Sequence, residues 1–310
     1  MIDGSATDRR VVVALDVGGT GMKCALVSPD GRVVHAERHP TDADRGPDAV
    51  VGTILDVAEG LAGKARADGL TPVACGIAVP GVIDEAAGVA LWSANVGFRD
   101  VPLRALAQAR LGLPTALGHD VRAGGLAEAR LGAGRDTGHV LFVAIGTGIA
   151  GAHVVGGSAA TGAHGAAGEI GHILVRPGGP RCGCGRPGCL EAVASASAIA
   201  RRYAQLAEPV TAADVARRAA AGEELALRIW REAVEALADG LATGQALFDV
   251  ETIVVGGGLA RAGGQLLDPL RAALHERMTF HREPRLVAAA LGDEAGCLGA
   301  ALLALDSLEK

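Results

Sequence analysis

Three cysteines fall within eight residues, Cys182-x-Cys184-x4-Cys189, ten positions after His172. Three thiolates and an imidazole are the Cys3His set of a closed tetrahedral zinc site, and their clustering amid Gly and Pro argues against unrelated free thiols. A fully ligated zinc leaves no open position for water, so the metal is read as structural, fixing a loop with little helix or core of its own. Two carboxylates ride on that loop: Glu169 three residues before His172, and Glu191 two after Cys189. Carboxylates accept charge-assisted hydrogen bonds from vicinal hydroxyls, as in sugars. Taken singly, each reads first as a helix-start or surface acid.

A second kind of chemistry is written in glycine. Asp16-Val17-Gly18-Gly19-Thr20-Gly21-Met22-Lys23 puts a carboxylate at a strand end and follows it with a turn almost free of side chains. Without Cβ atoms the backbone can approach a phosphate, and successive N–H groups can point at it. Thr20 adds a hydroxyl, and Asp16 is placed to hold Mg²⁺ directly or through water. The alternative is a hairpin whose glycines serve positive φ. Gly146-Thr147-Gly148 is a second turn of the same type, able to face the first across a cleft and grip the same polyphosphate. Gly256-Gly257-Gly258, between a strand and a helix, lets a flat adenine lie on backbone, or is a plain βα turn. No G-x-x-x-x-G-K-[ST] occurs. Both Gly/Thr turns lead into another strand rather than a helix, which excludes a Rossmann fingerprint. Asp120 follows a short strand, where a carboxylate can take the proton of an attacking hydroxyl. On local grounds the cap of the helix predicted to start at Val121 is the reading that wins.

These residues need elements to hold them. Val11–Val17, Met22–Ser28 and Arg32–His39 read as an opening meander of strands, and Val50–Ala67 as a helix with apolar residues at three-and-four spacing. Strands Val73–Val79 and Thr115–Gly118 flank a helix at Leu103–Leu111, and a further helix is predicted over Val121–Leu131. His139–Ile145 and Ile149–Val155 repeat the opening about 130 residues later, the mark of an internal duplication. Gly156–Gly188 has little helix signal. Leu225–Phe248 carries one apolar stripe, and strand Glu251–Val255 precedes the triple glycine and another helix. No linker separates the halves, so an interface with a cleft is expected.

Composition narrows the classes. Of 310 residues 46 are glycine and only 2% aromatic, so the core must be Ala, Val, Leu and Ile, and 49% hydrophobic is ordinary for a globular chain. No apolar run approaches the 18 residues of a membrane span. MIDGSATDRR is no secretory signal. The net charge of −6 disfavours a nucleic-acid partner. A cytoplasmic α/β enzyme is the expectation, with Cys24, Cys75 and Cys297 as small core residues.

DVGGTGMK at 16–23, AVPGVID at 78–84, Asp120 after a strand, IGTGIAGA at 145–152, GEIGH at 168–172, CGCGRPGCLE at 182–191 and VVGGGLA at 254–260 together resemble the ROK family (repressor, open reading frame, kinase) of the actin/hexokinase-like ATPases. The match runs over nearly the whole chain. The resemblance implies an α/β, actin/hexokinase-like (ribonuclease H-like) duplicated fold. Its first domain would span residues 1–120, completed by a helix at about 296–310, and its second 121–295, with the zinc loop. It implies an ATP-dependent kinase for the 6-hydroxyl of a hexose or N-acetylhexosamine. Asp16, Gly18, Gly19, Thr20, Lys23, Gly146, Thr147, Gly148, Gly256, Gly257 and Gly258 would bind ATP and Mg²⁺. Zinc would sit on His172, Cys182, Cys184 and Cys189. Asp120 becomes the base, and Asp120, Glu169, His172 and Glu191 contact the sugar, His172 holding zinc with one nitrogen and offering the other to a hydroxyl. Where the family usually has Asn before this Asp stands His119, which puts the sugar contacts on that side in question; Asn95 in SANVGF matches an Asn-containing family segment and joins the candidates. GHDVRAGGLAE leans toward an N-acetylglucosamine-kinase branch, with glucose next. A homodimer or homotetramer is expected. Family repressors carry a helix-turn-helix segment before the first phosphate motif, for which Asp16 lies too near the start. A non-catalytic sugar sensor is the remaining alternative.

Overall fold

The computed structural model describes residues 9–309 and divides into two compact units. The first holds the described residues up to Ala127, Thr161–Ala166 and those from Asp293; the second holds Glu128–Ala160 and Ala167–Gly292. The boundaries expected from sequence, at 120/121 and 295/296, thus compare with 127/128 and 292/293. Most of MIDGSATDRR lies outside the described residues.

The first unit opens with β1 (Arg10–Val17), β2 (Gly21–Val27) and β3 (Val33–Pro40), followed by α1 (Pro47–Ala67) and β4 (Thr71–Val79). A small three-stranded sheet comes next, β5 (Val82–Asp84), β6 (Val89–Trp92) and β7 (Arg99–Val101), then α2 (Leu103–Leu111), β8 (Thr115–His119) and α3 (Asp120–Arg130). The main sheet is ordered β3-β2-β1-β4-β8; β1, β4 and β8 run parallel while β2 and β3 pair antiparallel. β1 reads as a continuous apolar run because both of its faces are covered. Cys75, Ile77 and Val79 pack with Val50, Ile54, Ala58 and Leu61 of α1. The alternate residue Gly76 faces the C-terminal helix Ala295–Leu308, where an added Cβ would stand 1.9 Å from the Ala300 carbonyl oxygen. The small-residue sequence of that helix, AGCLGAALLALDSL, is what lets its backbone lie directly on the strands.

The second unit repeats the plan. β9 (His139–Ile145), β10 (Ile149–Val155) and β11 (Ser158–Ala159) are followed by helices α4 (Leu190–Ala194), α5 (Ala196–Ala204), α6 (Ala212–Ala220) and α7 (Glu224–Phe248), then β12 (Thr252–Gly256), α8 (Gly264–Arg277) and β13 (Arg285–Ala288). The order β11-β10-β9-β12-β13 has the same sequence of antiparallel and parallel pairings as the first sheet. The duplication read from the two Gly/Thr turns is therefore a duplication of whole sheets, and the fold is the duplicated α/β, ribonuclease H-like type. The core of this unit gathers Leu141, Val143 and Ile145 with Ile229, Val234, Leu237 and Leu241 of α7. Between residues 156 and 188 the only regular elements are β11 and a single 3-10 turn, Ile170–His172.

Candidate active site

In the first unit Asp16 and Asp120 stand at the carboxyl ends of parallel strands β1 and β8, where open α/β sheets leave room for ligands. Asp16 lies opposite Lys23 in the β1–β2 ladder, with Lys23 Nζ 3.4 Å from its Oδ2. Burial raises the Asp16 carboxyl above the ordinary range; Lys23 pulls it back, and the charge of Asp120 pushes it further up. A buried carboxylate that another acid further destabilises suits a divalent cation.

The turn after β1 is tied from below. Gly18 N–H donates to the Gly21 carbonyl at 2.9 Å, Thr41 Oγ1 donates to the Gly18 carbonyl at 2.6 Å, and Thr41 N–H to the Thr20 carbonyl at 3.3 Å. None of Gly18, Gly19 and Gly21 has positive φ, which removes the strained-hairpin alternative. Exposed Asn95 packs on the same turn, its Cβ 3.1 Å from where a side chain on Gly19 would begin.

Asp120 opens α3, and its Oδ1 accepts the Val121 N–H at 2.7 Å, so the cap-like contact and the accessible carboxylate coexist. Its side chain is 27% exposed. Even so, crowding by protein pushes its carboxyl up to about 6, against the opposing pull of the Val121 N–H and the Arg122 charge. Buried His119 puts Nδ1 3.4 Å from Asp120 Oδ1 and accepts the Arg122 N–H there. Beneath them Arg122 is held by Glu85 Oε1 through Nε at 2.9 Å and Nη2 at 2.8 Å, and by the Gly165 carbonyl at 3.0 Å. Sequence reasoning missed Thr41, Glu85 and Arg122. Nothing in their local sequence marks them, since each acts through a partner more than 20 residues away.

In the second unit the ligand atoms of His172, Cys182, Cys184 and Cys189 all lie within 4.8 Å of one another. Cys184 Sγ and Cys189 Sγ are 3.6 Å apart, and Cys182 Sγ is 3.5 Å from His172 Nδ1. A tetrahedron with zinc–sulfur bonds near 2.3 Å and a zinc–nitrogen bond near 2.0 Å has edges of about 3.8 and 3.5 Å. The four residues fit that metal. His172 turns Nδ1 to the cysteines and leaves Nε2 3.7 Å from Glu169 Oε2. Glu169 precedes the 3-10 turn without capping it and is 43% exposed.

Glu191, in the first turn of α4, reaches the other way. Its Oε2 accepts the Ile149 N–H at 3.0 Å and occupies the space beside Gly148, 2.5 Å from where a Cβ would stand. Gly148 is thus a glycine because a carboxylate lies against it. A side chain on Gly146, in contrast, would meet nothing within 4 Å. The turn is held by the start of α5: Ala196 N–H donates to the Gly146 carbonyl at 2.8 Å and Ser197 Oγ to the Thr147 carbonyl at 2.5 Å. Ala196 also borders a cavity of about 580 Å³ lined by Thr211, Ala212, Ala216, Gly258 and Leu259. In the triple glycine, Gly257 takes φ +81° against the Ile145 backbone and Gly256 packs on Phe142, while Gly258 opens toward that cavity.

The unit therefore carries an alanine-rich cavity that Arg217, Arg261 and Gln265 also line, a glycine turn, two carboxylates and a metal-type cluster, connected through α4 and α5. Among the described residues no helix is long and apolar enough to cross a membrane.

Comparison with known proteins agrees with this arrangement. The family model described as "ROK family" matches residues 12–307. A glucokinase from Thermotoga maritima is 35% identical over 94% of this chain and 96% of its own length. An N-acetylmannosamine kinase from Shigella flexneri is 34% identical over 94% and 98%. Among solved structures, a ROK family glucokinase from Streptomyces griseus in complex with glucose and AMPPNP is 30% identical, with TM-score 0.82 over 96% of this chain and 99% of that one.

Proposed function

The chain belongs to the ROK family and is a sugar kinase of that family, and from this premise we propose that it transfers the γ-phosphoryl group of ATP to the 6-hydroxyl of a hexose or N-acetylhexosamine. The observation that carries the reading is Asp120: a partly exposed carboxylate at a strand end, held by one N–H and raised toward neutrality by burial. A base with its pKa near 6 is ionised at neutral pH and still basic enough to accept a hydroxyl proton.

The remaining roles are assigned within each unit. Gly18, Gly19 and Thr20 in the first, and Gly146, Thr147 and Gly148 in the second, would offer backbone N–H groups to the phosphates. The cavity beside Gly258 suits an adenosine, its alanine-rich wall matching a flat apolar ring; Gly256 and Gly257 shape its floor. Asp16, steadied by Lys23, would hold Mg²⁺, which when bound with ATP screens the charge on the transferring phosphoryl group. Zinc on His172, Cys182, Cys184 and Cys189 would be structural and would aim Glu169, His172 Nε2 and Glu191 at the sugar hydroxyls. Asn95 and His119 complete the sugar contacts on the first unit. His119 stands beside Asp120, its Nδ1 3.4 Å from Oδ1, and brings an imidazole where the family usually has an asparagine amide.

With the base in place, Asp120 withdraws the 6-hydroxyl proton as the oxygen attacks. Backbone N–H groups of the phosphate turns would stabilise the charge that develops, which is where most of the acceleration arises. ATP as donor makes the cytoplasm the place of work. A non-catalytic sensor is not favoured, because Asp16, Thr20, Asp120 and Thr147 are all present. An ADP-release assay across N-acetylglucosamine, glucose, N-acetylmannosamine, mannose and fructose tests the reading. Turnover with at least one is expected, with N-acetylglucosamine and glucose the first candidates; tight binding of a sugar without turnover of any contradicts it.

A further inference from the structure

Both Gly/Thr turns are gripped in the same manner by residues far from them in sequence. In the first unit Thr41, fully buried just beyond β3, donates its hydroxyl to the Gly18 carbonyl and its N–H to the Thr20 carbonyl. In the second, Ser197 donates its hydroxyl to the Thr147 carbonyl, and the neighbouring Ala196 N–H goes to the Gly146 carbonyl. Ser197 is itself steadied by Ser195 Oγ at 3.2 Å, the hydroxyl that caps α5 by accepting the Ala198 N–H. One grip comes from the end of a strand and the other from the start of a helix, so the likeness is not a by-product of the duplicated sheets.

The geometry has a chemical consequence. In a trans peptide the carbonyl and the following N–H point to opposite sides, and no cis peptide occurs among the described residues. Binding the Gly18, Gly146 and Thr147 carbonyls on one side therefore turns the Gly19, Thr147 and Gly148 N–H groups to the other. Those three donors have no hydrogen-bond acceptor among the described residues. Unpaired N–H groups side by side in a turn are an anion cradle, and donation to each carbonyl polarises its peptide and strengthens the N–H opposite.

We propose that Thr41 and Ser197 are positioning residues for the nucleotide: each fixes a phosphate turn from behind, so that the Gly19 N–H of the first turn and the Thr147 and Gly148 N–H groups of the second are presented to the ATP phosphates. This rests on the reading that the two turns bind phosphate.

The test uses the full, zinc-loaded chain with Mg·AMPPNP as the probe, by titration calorimetry, with melting temperatures recorded. Thr41→Val keeps the shape and backbone N–H but removes the hydroxyl; Ser197→Ala removes it and Ser197→Thr restores it. The expected result is a five- to tenfold rise in Kd for Mg·AMPPNP in Thr41→Val and Ser197→Ala, of the order of one lost hydrogen bond. The KM for ATP rises in step, the KM for sugar stays within twofold, and Ser197→Thr behaves as wild type. Should Thr41→Val fail to fold, the Ser197 pair decides. Unchanged nucleotide affinity in folded Ser197→Ala, or equal losses for sugar and nucleotide, overturns the proposal. Gly146→Val separates this failure from that of the site itself. Its side chain enters open space, so the variant should fold and lose Mg·AMPPNP; if it binds normally, the phosphate-turn reading falls and the positioning role with it.

Discussion

Glu191 Oε2 accepts the N–H of Ile149 at 3.0 Å, so a carboxylate two residues beyond the last cysteine of the metal-type cluster is a structural part of the glycine turn that precedes β10. The loop expected to hold sugar and the turn expected to hold phosphate are thereby one assembly within the second unit. Glu191→Gln keeps an oxygen for Ile149 but loses the charge offered to sugar hydroxyls, whereas Glu191→Ala loses both. The first variant should raise the sugar KM about tenfold and leave the ATP KM within threefold; the second should raise both. Steady-state kinetics with each substrate varied in turn checks this, and equal behaviour of the two variants toward ATP would remove the link.

Asp120 carries a pH signature. With its carboxyl held at about 6, kcat/KM for the sugar should fall about tenfold per pH unit below that value and level off above it. Stability should run the opposite way. The folded state holds this proton more tightly than the unfolded chain, whose ordinary value is near 3.8, so raising the pH from about 4 through 6 costs stability, and the full cost remains above 6. Asp120→Asn abolishes that cost: it should melt higher than wild type at pH 8 and equal to it near pH 4, while turnover falls by about 10² to 10⁴ with sugar binding kept. Melting curves at the two pH values, beside a rate measurement, decide the point.

Gly296 of the C-terminal helix lies against the other carboxylate of the first unit; a Cβ there would stand 2.2 Å from Asp16 Oδ2. In an ordinary helix Gly→Ala gains roughly 1 kcal/mol. Here Gly296→Ala should displace Asp16 and cut kcat at least tenfold, with a higher Mg²⁺ requirement measured by titrating activity with the metal. Unaltered Mg²⁺ dependence would detach Asp16 from the metal role.

The metal-type cluster predicts its own removal. Residues 156–188 contain only β11 and one 3-10 turn, so the loop that carries the cluster has little else to define it. Purified protein should contain one zinc per chain; stripping it with a chelator should lower Tm by about 5 °C or more and abolish activity, with both restored by Zn²⁺. Metal analysis returning no zinc in fully active protein contradicts the assignment.

What the chain reveals before folding follows from range. The apolar runs at Val11–Val17 and His139–Ile145, each with a Gly/Thr turn behind it, announce both sheets because that pattern is local. Cys182, Cys184 and Cys189 announce a candidate metal cluster because ligand spacing is local too. The short strands β5 to β7 are too brief to stand out. Arg122 reads as a helix-surface residue until Glu85, 37 positions earlier, is seen to bury it. Thr41 and Ser197 are ordinary polar residues in sequence; only tertiary contact brings their hydroxyls to Gly18 and Thr147. Asp120 is the intermediate case: the local signal gives a helix start, which the structure has, and the burial that raises its carboxyl, on which the proposed base role rests, is tertiary.

The central claim is tested most directly by the product. The purified enzyme, incubated with Mg·ATP and the sugar giving the fastest ADP release, should yield a sugar whose phosphorus, by ¹H–³¹P correlation NMR, couples to the two protons on carbon 6, and the Asp120→Asn enzyme should form it at least a hundredfold more slowly. Phosphate on another hydroxyl, or undiminished product from Asp120→Asn, contradicts the account.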